Sequence, residues 1–96
     1  MSHQINLGIQ VVPIADANKG YPVINQCIER IQSSGIKYTV SPFETILEGD
    51  YQEIMSLVNE LYEMALSETD ELVINIRIHA MNGRDVIASD KTDKFN

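Results

Sequence analysis

The chain has 96 residues, a mass of 10.8 kDa and a formal net charge of −7, which allows one small domain and no second one. Fourteen acidic residues against seven basic ones exclude a protein that grips nucleic acid through its phosphates. A hydrophobic fraction of 44% beside a charged fraction of 22% excludes a disordered chain.

Gln4 to Val12 alternates strictly. Ile5, Leu7, Ile9 and Val11 fall on one side and Gln4, Asn6, Gly8 and Gln10 on the other, the period of a half-buried strand. Pro13 ends it, and the composition of Ile14 to Gly20 reads as a loop. A helix is predicted from about Tyr21 to Ser34: Ile24, Cys27, Ile28 and Ile31 share one face, Pro22 suits a first turn, and Gly35 suits a left-handed cap. Lys37 to Glu48 reads as two short strands broken near Ser41-Pro42, a hairpin. Asp50, with Glu53 three residues on, opens a second helix that runs to about Ser67 on a stripe of Ile54, Leu57, Val58, Leu61 and Ala65. Leu72 to His79 alternates again and forms the last strand. After the turn signal Asn82-Gly83 the chain becomes polar. Residues 1–82 are therefore expected to form the domain, and 83–96 a polar tail that is either mobile or docked on another subunit.

The order β-α-β-β-α-β predicts an α+β, ferredoxin-like fold: a four-stranded antiparallel sheet with two helices on one face and the first and third strands central. The open face would show Gln4, Asn6, Gly8, Gln10 and Val12 with Asn75, Arg77 and His79. Amides and a glycine suit burial against a second sheet or around a ligand better than solvation does, so an oligomer built through sheet faces is expected, at least a homodimer and by preference a homotetramer. The same surface lacks the base-stacking aromatics of an RNA-recognition module. The chain also lacks the paired cysteines of a metal-transport module and the phosphate-cradling loop of an acylphosphatase.

Cys27 is the lone cysteine. No internal disulfide and no cysteine-built metal site can form, and an unpaired thiol fits a reducing compartment. No apolar run approaches a membrane span, and the start Met1-Ser2-His3-Gln4 lacks the basic and apolar regions of a signal peptide. A cytoplasmic protein with no membrane partner is expected. Cys27 lies in a helical apolar stripe and reads as core rather than nucleophile. His3 and His79 have no acidic cluster with which to hold a metal.

Thr45-Ile46-Leu47-Glu48-Gly49-Asp50 places a hydroxyl and a carboxylate at the end of a central strand, beside a strand-to-helix turn. The alternative is that Glu48 merely satisfies backbone amides. Taken with Gln10-Val11-Val12-Pro13, Tyr21-Pro22-Val23-Ile24, Ser34-Gly35-Ile36-Lys37-Tyr38 and Pro42-Phe43-Glu44, the chain resembles the small thiamine-binding protein family from about Ile5 to Ile78. The resemblance implies non-catalytic binding of thiamine or its hydroxymethylpyrimidine part as a ligand, with no cofactor, and dimers or tetramers built through the sheets. It makes Thr45 and Glu48 the first candidates for ligand contact and Gln10 and Val12 the second. The chemistry is compatible: a carboxylate accepts from the pyrimidine amine, a hydroxyl serves a ring nitrogen, and Val12 and Ile46 or a neighbouring subunit could wall a flat ring. The alternative is a structural or regulatory oligomer that takes a different small ligand or a protein partner on the open sheet face.

Overall fold

The computed structural model describes residues 3–96; Met1 and Ser2, counted in the predicted domain, lie outside the described residues. The elements are β1 (Gln4–Pro13), α1 (Ala17–Ser33), β2 (Lys37–Val40), β3 (Thr45–Asp50), α2 (Tyr51–Ser67), β4 (Leu72–His79) and a short α3 (Ala88–Thr92). The sheet is antiparallel throughout, in the order β2-β3-β1-β4. The predicted ferredoxin-like fold is thus the fold, with β1 and β3 central.

The alternation of β1 sends Ile5, Leu7 and Ile9 against the helices, where they meet Leu47 of β3, Val23, Cys27 and Ile31 of α1, and Ile54, Leu57, Leu61 and Ala65 of α2. Burial raises the pKa of the Cys27 thiol, which keeps it protonated and inert.

Helix α1 begins a turn earlier than Tyr21. Asp16, which reads as part of a loop, is its N-cap: the side chain accepts from the Lys19 amide at 3.2 Å and the carbonyl from the Gly20 amide at 2.9 Å. Pro22 therefore stands inside the helix and forgoes the bond its amide would have made to the previous turn. The buried stripe centres on Val23, Cys27 and Ile31, leaving Ile24 and Ile28 half-exposed. Gly35 takes the expected left-handed conformation after the helix, with φ of 81°. Asp50 caps α2 by accepting from the Glu53 amide at 3.1 Å, as the sequence predicts.

The segment from Arg84 is not separate from the chain's own sheet. It returns across the start of β1, where the Val86 amide donates to the Gln4 carbonyl at 2.9 Å and the Asp85 carboxylate accepts from the Gln4 amide at 2.7 Å. Val86 is 2% exposed. Among the described residues, no helix is long and apolar enough to cross a membrane.

Candidate functional site

Strand register decides which of the predicted site residues can meet. Thr45 pairs with Ile9 and Glu48 with Asn6. Since Ile9 faces the helices and Asn6 the open side, Thr45 and Glu48 point to opposite faces of the sheet. They do not share a site.

Glu48 is buried and already engaged. One carboxylate oxygen accepts from Asn6 Nδ2 at 3.1 Å and from the Ala88 amide at 2.5 Å. The other lies 3.2 Å from Lys37 Nζ. Burial alone would push its carboxyl up, but the Ala88 amide, Lys37 and Asn6 outweigh that and hold it below the ordinary 4.5. Asn6 Nδ2 also donates to the Val86 carbonyl at 3.2 Å. Glu48 and Asn6 together therefore fasten the C-terminal segment to the sheet, the role that the amide-satisfying alternative anticipates.

Thr45 opens elsewhere. Strand β3 stops opposite Ile9, while β1 continues to Pro13 with only β4 beside it. The space vacated by β3 is a cavity of about 350 Å³ between α1, the β2–β3 hairpin and β1, lined by Val11, Tyr21, Ile24, Val40, Phe43 and Thr45 among others. The Thr45 hydroxyl makes no hydrogen bond with the described residues. Residues along a strand direct their backbone groups to alternate edges. Gln4 has β3 on one side and bonds Val86 on the other, and Ile14 bonds the Glu71 carbonyl on the β4 side. That parity turns the Val11 amide and carbonyl toward the vacated edge. A donor, an acceptor and a hydroxyl thus border one apolar space.

Gln10 and Val12 flank Val11 on the other face. Gln10 also touches the cavity, but its Oε1 accepts from Asn75 Nδ2 at 3.0 Å on the open side. Val12 lines an adjoining groove with Tyr21 and Ile24. The structure therefore brings Thr45 and Gln10 to one cavity, sets Val12 beside it and Glu48 apart from it. Sequence reasoning missed Val11, whose contribution is backbone, and the aromatics at the rim: Phe43 is 82% exposed and Tyr21 64%. An exposed phenylalanine on a short hairpin is the one signal that could have flagged that rim.

The thiamine-binding protein family model matches residues 7–96. The chain is 32% identical over 71 residues to a UPF0045 protein of Clostridium perfringens, covering 74% of this chain and 75% of the relative. Among solved structures, it resembles a protein of Thermotoga maritima described as a candidate for thiamine biosynthesis or salvage, with TM-score 0.89 and 31% identity over 97% of this chain and 99% of the other. It also resembles a domain of unknown function from Bacillus cereus, with TM-score 0.90 and 30% identity over 100% of this chain and 93% of the other. With the family model spanning almost the whole sequence, the chain belongs to the thiamine-binding protein family.

Proposed function

We propose that the protein binds thiamine or its hydroxymethylpyrimidine part, without catalysis, in the cavity between α1 and the vacated edge of β1. The observation that carries this reading is the convergence of Val11 and Thr45 on that cavity. An aminopyrimidine carries an amine donor next to a ring-nitrogen acceptor, the complement of one strand residue's carbonyl and amide. The Thr45 hydroxyl would serve a second ring nitrogen, and Phe43 and Tyr21 would stack on the flat ring or face the thiazolium charge. Family membership supports the ligand class.

Titration calorimetry tests it. Wild type should bind thiamine, and Thr45→Val, which keeps shape and loses one hydrogen bond of about 1 kcal/mol, should bind roughly 5- to 10-fold more weakly. Thiamine and hydroxymethylpyrimidine both failing to bind wild type would favour a structural or regulatory protein with another partner. The buried single thiol suits a reducing compartment, and we place the protein in the cytoplasm.

Self-association belongs to the same proposal. The C-terminal segment covers one end of the open sheet face; the other end shows Gln10, Val12, Val73 and Asn75. This patch carries no formal charge in a molecule of net charge −7, so a second copy can meet it without the repulsion that any acid-rich surface would bring. Sedimentation at micromolar concentration should report at least a dimer, and Val73→Asp should shift it toward monomer. A monomeric wild type would refute the pairing.

A further inference from the structure

A second cavity, of about 340 Å³, lies on the open face where α3 stands over the ends of β1 and β4. Its charge runs against that of the molecule. Arg77 and His79 reach it from β4, opposite Gly8 and Asn6, and Lys91 from α3. Lys91 Nζ lies 2.9 Å from His79 Nδ1. An ammonium offers only donors, so Nδ1 accepts and Nε2 carries the ring hydrogen. Arg77 is bound to Glu44 at 2.8 Å, and that carboxylate rests on Gly8, where an added Cβ would come within 2.6 Å of it. Glu48, behind Asn6, is answered by Lys37. Lys91 has no carboxylate partner among the described residues. The cavity thus keeps one positive charge without a counter-charge.

Asn6 supplies the second observation. It is 6% exposed, its Nδ2 is committed to Glu48 and the Val86 carbonyl, and its Oδ1 is buried with no hydrogen-bond partner. Both Nδ2 partners are pure acceptors, which fixes the amide orientation and leaves Oδ1 as the orphan. A buried acceptor without a donor is destabilising, and a donor on a ligand relieves it.

We propose that this cavity binds a small phosphate, inorganic or as a monoester, in a protonated form. The anionic oxygens would lie against Lys91 Nζ, the His79 Nε2 hydrogen and the free Arg77 N–H groups, and the phosphate O–H would donate to Asn6 Oδ1. The site is on the opposite face of the sheet from the helix-side cavity and does not depend on the thiamine reading. A fully deprotonated tetrahedral anion such as sulfate matches the charge but not the orphan acceptor, so the site should distinguish the two.

Calorimetry with inorganic phosphate, glycerol phosphate and sulfate, on wild type and on Lys91→Met, tests this. Wild type is expected to bind inorganic phosphate, which keeps a proton at neutral pH, at least 10-fold more tightly than sulfate. Lys91→Met, at an exposed position, should weaken phosphate binding at least 10-fold and leave thiamine titration as in wild type. Failure of wild type to bind either phosphate would overturn the proposal, as would equal binding by Lys91→Met. Sulfate binding as tightly as phosphate would overturn the part assigned to Asn6.

Discussion

Glu48→Ala should lower stability by about 2–3 kcal/mol and release the C-terminal segment, through loss of charge-assisted hydrogen bonds to buried groups. The substitution strands two donors: Asn6 Nδ2 keeps only the Val86 carbonyl, and the Ala88 amide loses its sole described partner. The Lys37 pairing adds little, because Lys37 is 70% exposed and screened. Urea denaturation would read the loss. Amide exchange at Val86 and Ala88 would read the release, with protection falling at both while the amides of α2 keep theirs. Glu48→Gln, which preserves an acceptor, should cost clearly less. Acid should mimic the alanine variant. The folded-state pKa of Glu48 is held down, so its contribution is complete above the ordinary carboxylate range and fades as pH falls through the lower folded value. The C-terminal segment should therefore loosen in acid before the sheet unfolds. Thiamine titration at neutral pH should be the same for Glu48→Ala as for wild type, which separates fastening from ligand contact.

Leu47→Ala should cost more, about 3–4 kcal/mol, the usual range for a leucine deleted from a core that cannot collapse around the gap. Leu47 is fully buried on central strand β3, paired with Leu7 of β1 and part of the cluster formed with α1 and α2. Small domains have only about 5–15 kcal/mol in hand. The variant should lose a large part of its folding free energy, read as a drop in the urea midpoint with little change in slope. Ile46→Ala, one residue away and on the open face, should cost far less; similar costs at both positions would contradict the two-faced sheet.

The strands were legible because a period of two is unmistakable in Ile5-x-Leu7-x-Ile9 and Leu72-x-Ile74-x-Ile76, and that order carries the topology. The start of α1 was not: Asp16 and Gly20 sit in a run whose composition matches a loop, and only the cap bond distinguishes it. The docking of the C-terminal segment was hidden for a similar reason. Val86 is its one buried side chain, and the rest of its attachment is made by backbone amides that composition does not record. The candidate site divides along the same line. Thr45 was legible as a hydroxyl at a strand end, but its separation from Glu48 was also written in the sequence, since residues three apart in a strand face opposite ways. Val11 could not be read at all, because what it offers is main chain exposed by the early end of β3.

Joining Gln4 to Val86 also orders events in time. β1 precedes the other strands, yet one of its neighbours, β4, is contributed about sixty residues later, and the side of Gln4 away from β3 is held by Asp85 and Val86, later still. A nascent chain that has emerged only as far as α2 can assemble α1, the hairpin and α2 around β1, but it cannot close the sheet. Completion waits for β4 and Val86 to emerge, and pairings this distant in sequence form slowly. Until then the β4 side of β1 is an open edge, a row of unpaired backbone groups on which a strand of any other chain can pair.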